Sequence, residues 1–136
     1  PHWVIRCVHM ARLDGYTILI VDDDEDILAS MELAMRAEGA LTLTAKDGTE
    51  AVSECTSGEP DAVILDMMLP KRSGFLVLEE ILAIPNPPIV IMVTANEGRR
   101  HMAYATALGV QAYLIKPVGL DRLIDTVCCL LEKDDS

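Results

Sequence analysis

The feature that most constrains the fold of this chain is a series of short apolar runs, each followed by a segment with helical spacing. A strand buried on both faces is apolar throughout, whereas a half-exposed strand alternates apolar and polar residues. The runs at Thr17–Val21, Ala62–Asp66 and Ile89–Thr94 are of the first kind, apart from a polar residue at one end. The run at Leu41–Ala45 alternates, which predicts a less buried strand near a sheet edge, and residues 112–116 form a fifth predicted strand.

Helices are predicted between these strands. Apolar residues recur at helical spacing from Ile27 until Gly39 ends the first helix, and Asp47 with Glu50 predicts a capping box at the start of the second. The remaining helices are predicted at residues 73–83, 99–108 and 120–131. Right-handed crossovers return each helix to the sheet, so five successive βα units imply a parallel sheet with helices on both faces. We therefore predict an α/β fold with a five-stranded, doubly wound parallel sheet.

Composition narrows the class of protein. A length of 136 residues is enough for one well-buried domain and too short for two. The net charge of −11 argues against nucleic-acid binding through a basic surface, and no apolar run approaches the roughly 20 residues of a membrane span. The four cysteines have no CxxC spacing, so we expect neither a zinc site nor disulfides, and a reducing cytoplasm is the natural compartment.

The first 16 residues differ from the rest of the chain. They show no clear period, and Arg6 and His9 interrupt their apolar character, which is not the pattern of a signal peptide. Met10 is a candidate start. We therefore divide the chain into a leader or extension at residues 1–16, a domain at residues 17–132 and a short tail at residues 133–136.

Polar side chains with complementary chemistry follow four of the predicted strands. Asp22 and Asp23 follow the first, Asp66 ends the third, Thr94 ends the fourth and Lys116 ends the fifth. Ligands bind at the carboxyl ends of strands in open α/β sheets. Each residue alone has a simpler interpretation, namely a helix cap, a strand threonine or a surface lysine. Their joint occurrence favours a ligand-binding site at the carboxyl ends of the strands.

The chemistry of such a site follows from its charges. Three carboxylates that converge on one point repel one another unless a cation is present, and Mg²⁺ prefers such oxygen ligands. Asp66 is then a nucleophile for a phosphoryl group. Lys116 can neutralise the transferred group and the Thr94 hydroxyl can hydrogen-bond it. Within the acidic run at residues 22–26, Asp24 or Asp26 is expected to cap the following helix instead.

At these residues the sequence closely resembles the receiver domain of two-component response regulators. The resemblance covers about residues 17–132 and implies the strand order 2-1-3-4-5. The Lys116–Pro117 bond resembles the cis peptide of that family. The matching positions are residues 18–23 with their acidic pair, Asp66 with Leu69, Pro70 and Gly74, residues 93–95, and Tyr113 with Lys116 and Pro117.

The resemblance also implies roles for individual residues. Asp66 would accept a phosphoryl group from a sensor histidine kinase or phosphotransfer protein, and Thr94 and Tyr113 would report the phosphorylated state. The fourth helix, fifth strand and fifth helix would form an output or dimer face. Such a domain is a signalling phosphoacceptor and not an enzyme acting on other substrates. The implied Mg²⁺ ligands are Asp22, Asp23, Asp66 and the backbone carbonyl of Met68.

Other classes of protein fit less well. A phosphatase of the haloacid dehalogenase type has a second acid two residues after its nucleophile, where this chain has Met68. A flavodoxin-like carrier needs a phosphate-binding loop after the first strand, and acids occupy that position here. A receiver cut from a longer regulator or hybrid histidine kinase remains open.

One position departs from the pattern of the family that this chain resembles, and two others bear on the lifetime of a phosphoryl group. Val118 stands where a phenylalanine usually follows Lys-Pro, which would loosen packing under the last helix. Met68 and Asn96 are expected to flank the path of water to a phosphoryl group on Asp66. A thioether cannot orient water and an amide is a poor general base, which predicts slow dephosphorylation.

Overall fold

The apolar runs of the sequence form the strands of one parallel sheet. The computed structural model describes residues 11–70, 72–95 and 98–135. All neighbouring strands are parallel, and their order is β2-β1-β3-β4-β5, which confirms the predicted fold class and strand order. The strands are β1 (Thr17–Val21), β2 (Leu41–Ala45), β3 (Ala62–Asp66), β4 (Ile89–Thr94) and β5 (Ala112–Ile115).

Five helices connect or follow the strands, and side-chain caps fix where three of them begin. They are α1 (Glu25–Ala37), α2 (Gly48–Gly58), α3 (Gly74–Leu82), α4 (Arg99–Leu108) and α5 (Leu120–Asp135). Asp24 caps α1 by accepting two backbone N–H bonds, and Ser73 caps α3. Asp47 caps α2 by accepting the Glu50 N–H at 2.9 Å. The Glu50 carboxylate accepts the N–H of Lys46 at 2.7 Å, so the return bond of the capping box is displaced by one residue.

The sheet separates two apolar layers because successive side chains of a strand point to opposite faces. Ile18 and Ile20 of β1 pack with α1 and α5, whereas Leu19 and Val21 pack with α2, α3 and α4. Strands β3 and β4 are buried throughout, while β2 at the sheet edge is mostly half-buried or exposed, as its alternating sequence predicts. Among the described residues, no helix has both the length and the apolar character needed to cross a membrane.

Packing extends beyond both predicted ends of the domain. Leu13 is fully buried in the layer formed with α1 and α5, and its N–H donates to the Glu38 carbonyl at 2.8 Å. Arg12 forms an ion pair with Asp125 of α5 at 2.8 Å. Residues 11–16, predicted as part of a leader, therefore pack against the domain, and helix α5 continues to Asp135 through most of the predicted tail. Residues 1–10 lie outside the described part of the chain.

Candidate functional site

The parallel register brings the acids of β1 and β3 to the same edge of the sheet. Val21 pairs with Leu65, so Asp22 directly after β1 and Asp66 at the end of β3 follow paired residues. Thr94 ends β4 at the same edge and is fully buried. The sequence folds this way because consecutive parallel strands all present their carboxyl ends on one side.

Three carboxylates form a cluster at this edge. Oxygens of Asp22, Asp23 and Asp66 lie within 4.8 Å of one another. Asp22 and Asp66 are only 2% and 5% exposed, whereas Asp23 is exposed. Like charges at this spacing repel, and the donor set consists of the hard oxygen ligands that Mg²⁺ prefers. The residues present therefore fit a divalent cation that remains partly open to water.

Lys116 supplies a positive charge between two of these acids. Its Nζ donates to Asp22 Oδ2 at 3.0 Å and to Asp66 Oδ2 at 3.4 Å. Burial acts to lower the pKa of the Lys116 ammonium, but the hydrogen bond to Asp22 and the charge of Asp66 outweigh it, so the pKa is raised. Lys116 therefore remains a cation and holds the two carboxylates in fixed positions.

Backbone N–H groups orient the remaining oxygens of the two buried acids. Asp66 Oδ1 accepts the N–H of Met68 at 3.0 Å, and Asp22 Oδ1 accepts the N–H of Asp24 at 2.9 Å. Burial raises the pKa of Asp66, the charge of Asp22 raises it further, and the bonds from Met68 and Lys116 partly oppose these effects. A carboxylate with a raised pKa is more basic once ionised, which suits a nucleophile.

The loop after Asp66 closes on itself at a glycine. The Gly74 N–H donates to the Met67 carbonyl at 2.8 Å. A Cβ atom on residue 74 would lie 2.5 Å from Met67 Cα and 2.7 Å from its carbonyl oxygen. Only glycine permits this close approach of two backbone segments. The backbone of Met67, directly after Asp66, is thus held against the backbone at the start of α3.

Met67 is a residue that the sequence did not single out. It is 6% exposed, and its Sδ accepts a hydrogen bond from the Tyr113 hydroxyl at 3.8 Å. Burial raises the pKa of the Tyr113 phenol. The only sequence signal for Met67 is its position directly after Asp66, because its partner is 46 residues away.

The structure brings together Asp22, Asp23, Asp66 and Lys116 as the sequence predicts. Thr94 lies at the neighbouring strand end, and its carbonyl accepts the N–H of Lys116 at 2.8 Å. The Lys116–Pro117 peptide is cis, in agreement with the resemblance. The Met68 side chain is 63% exposed, and the metal role of its carbonyl stays a prediction. Asn96 lies outside the described residues.

Relatives of known sequence are named as transcriptional regulatory proteins or response regulators. The transcriptional regulatory protein PrrA of Mycobacterium tuberculosis is 35% identical over 119 residues, which cover 88% of this chain and 51% of PrrA. The chain thus spans about half the length of the curated relatives it matches.

Solved structures give the same family. A CheY-like receiver domain from Methanospirillum hungatei aligns with a TM-score of 0.85 and 27% identity, over 90% of this chain and 97% of that one. A chain of the CheX-CheY-BeF3-Mg²⁺ complex from Borrelia burgdorferi aligns with a TM-score of 0.81 and 26% identity, over 86% of this chain and 90% of that one. The family model for the response regulator receiver domain matches residues 18–128. The chain therefore belongs to the receiver domain family of response regulators.

Proposed function

We propose that this receiver accepts a phosphoryl group on Asp66 from a sensor histidine kinase or phosphotransfer protein. The observation that carries the proposal is the cluster of Asp22, Asp23 and Asp66 within 4.8 Å, with the Lys116 ammonium bonded to two of them. Membership in a signalling family supports it. The proposed Mg²⁺ ligands are these three carboxylates and the backbone carbonyl of Met68.

The transfer is a displacement at phosphorus. A carboxylate oxygen of Asp66 forms a bond to phosphorus while the bond from phosphorus to the donor histidine nitrogen breaks, and the nitrogen retains the electron pair. The Lys116 ammonium would hydrogen-bond to the transferred phosphoryl group and offset the negative charge of that group. The Thr94 hydroxyl would donate a hydrogen bond to one of the phosphoryl oxygens. Mg²⁺, when bound, supplies positive charge that reduces repulsion between the carboxylates and the incoming group. The solved CheX-CheY complex from Borrelia burgdorferi contains both BeF3 and Mg²⁺.

The phosphorylated state would be read through Thr94, Tyr113 and helix α4. Ala105 is the one buried residue of α4, so little apolar contact holds this helix on the sheet. Elements with few buried contacts open or shift most easily. We propose that α4, β5 and α5 form the face that binds an output partner or a second copy of the chain.

A second possibility keeps the same chemistry within a longer protein. PrrA is about twice the length of the matched region and is named as a transcriptional regulator. This favours a receiver that belongs to a longer regulator, with a hybrid histidine kinase as the other arrangement. The full reading frame around these 136 residues distinguishes a free-standing receiver from one that is part of a longer regulator or hybrid histidine kinase.

Phosphorylation by a small phosphodonor such as acetyl phosphate tests the main proposal. With Mg²⁺ the native chain should gain one phosphate by intact-mass spectrometry, and with EDTA it should gain none. Asp66→Asn should remove labelling, and Asp23→Asn should strongly slow it because a metal ligand is lost. Asp121→Asn, which removes an exposed acid in the first turn of α5, should label normally.

Three results would contradict parts of this proposal. Normal labelling of Asp23→Asn beside an unlabelled Asp66→Asn would show that the cation role is wrong. Phosphate located on a residue other than Asp66 would refute the phosphoacceptor assignment. Hydrogen exchange over residues 99–114 should slow or shift on phosphorylation, and an unchanged profile would count against the α4 switch.

A further inference from the structure

A cavity of about 600 Å³ lies beside the candidate site, between α1 and the segment that joins β5 to α5. Its size is within the range of small-molecule sites in proteins. Asp22, Asp23 and Asp66 are not among the described residues that line it. Most of its wall is apolar, formed by Ile27, Met31, Val93, Pro117, Val118 and Leu120.

The floor of the cavity is buried in the core and its mouth is open. Val93 and Met31 belong to the buried layer under α1 and α5, with 1% and 8% exposure. Leu120 at the start of α5 is 40% exposed. Val118 lines the wall with a small, partly buried side chain, and a larger residue there would occupy part of the space. An apolar body placed in the cavity would therefore be removed from water on several sides.

The charged residues around the cavity determine which charge a ligand should carry. Lys116 is one of the lining residues, and its ammonium is bonded to Asp22 and Asp66, which offset its charge. Asp26 is exposed and forms no ion pair with any other described residue. Ser30 lies one helical turn further along α1 and offers a hydroxyl on the same side. The uncompensated charge at the mouth is therefore negative.

We propose that this cavity binds a small monocationic molecule with an apolar body, its ammonium group beside Asp26 and its body against Met31, Val93 and Val118. Such a molecule would also contact Lys116, a side chain of the phosphoryl site. Binding is measured without any phosphodonor, so the failure of this proposal and the failure of the proposed function are separate results.

Three probes that share a naphthalene ring test the proposal. They are 1-naphthylmethylamine, 1-naphthalenemethanol and 1-naphthoate, which are cationic, neutral and anionic at neutral pH. Each is titrated into the full chain carrying labelled Ile, Met and Val methyl groups, and binding is followed by NMR. The shifts should centre on Ile27, Met31, Val93 and Val118. The amine should bind about two- to fivefold more tightly than the alcohol, the size of an exposed ion pair, and the naphthoate most weakly.

Two variants distinguish the contribution of the cavity to binding from the contribution of the Asp26 charge. Val118→Phe should weaken all three probes at least about tenfold, since the ring occupies the cavity. Asp26→Asn should remove the advantage of the amine and leave the alcohol unchanged. Glu54→Gln, which removes an acid on α2 across the sheet, should change none of the affinities.

Thermal unfolding establishes that each variant is folded before binding is compared. If Val118→Phe does not fold, the Asp26→Asn comparison decides. Equal affinity of the three probes for the native chain would overturn the charge argument. Unchanged binding to a folded Val118→Phe, or shifts confined to methyl groups elsewhere, would overturn the assignment to this cavity.

Discussion

Replacing Gly74 by alanine probes the loop that holds Asp66. The added Cβ would lie 2.5, 2.7 and 2.9 Å from the Cα, carbonyl oxygen and carbonyl carbon of Met67. All three are backbone atoms, so no side-chain rotation relieves the contact. The loop must instead move away from α3, which stretches the 2.8 Å hydrogen bond from Gly74 to Met67.

The cost of this substitution can be worked out from these contacts. Overpacking of a rigid site typically costs about 1–3 kcal/mol, and backbone contacts lie at the upper end. Loss of a hydrogen bond adds about 0.5–1.5 kcal/mol, and the better helix propensity of alanine recovers less than about 1 kcal/mol. We expect a net loss of about 2–4 kcal/mol in the free energy of unfolding. That loss lowers the melting temperature of a 136-residue chain by about 7–14 °C.

Gly119→Ala is the matched control, because a Cβ at that position would meet no atom of the described residues within 4 Å, its chain neighbours aside. It should cost less than about 1 kcal/mol, the usual effect of alanine at the start of a helix. Urea denaturation measures both variants, and phosphorylation by acetyl phosphate measures the effect on Asp66. The displaced loop should slow labelling of Gly74→Ala and leave Gly119→Ala unaffected. Equal stability of the two variants would refute the reasoning from close approach.

Three further predictions concern titration, thiol reactivity and phosphate lifetime. In EDTA, Asp66→Asn should be more stable than the native chain at neutral pH, because burial of the Asp66 charge raises its pKa above the usual 3.8. The difference in free energy of unfolding between Asp66→Asn and the native chain should shrink as pH falls through the raised pKa, because the Asp66 carboxyl then becomes neutral in the folded state. A difference that does not change with pH in urea denaturation would contradict this. Of the three cysteines among the described residues, exposed Cys129 should be alkylated first by iodoacetamide, since burial raises the pKa of Cys55 to about 12 and of Cys128 to about 11. Peptide mapping that found these three equally labelled in the folded chain would be the contrary result. Met68→Asn should accelerate hydrolysis of the phosphorylated chain because its amide can orient water, and an unchanged or slower rate would remove the case for shielding by Met68.

The strands, the helices and the acids at the strand ends could be predicted from local sequence patterns. Burial requires apolar residues along the whole of a strand or along one face of a helix, so the pattern extends over the whole element. For this reason the predicted limits of β1, β3 and β4 agree with the observed ones. Caps such as Asp47 depend on bonds within one turn and were also readable. The proximity of Asp22 and Asp66 could also be predicted, because the carboxyl ends of parallel strands lie at the same edge of the sheet.

Tertiary structure decided what depends on contacts between distant segments. Lys116 bonds to Asp22 across 94 residues, and Tyr113 meets Met67 across 46, and no local pattern encodes either distance. The burial of Leu13 and the cavity beside Val118 depend on how α1 and α5 pack on the same face of the sheet. Local interactions fix which residues form a helix or strand, whereas the spaces and partners between elements are set by side-chain packing over the whole domain.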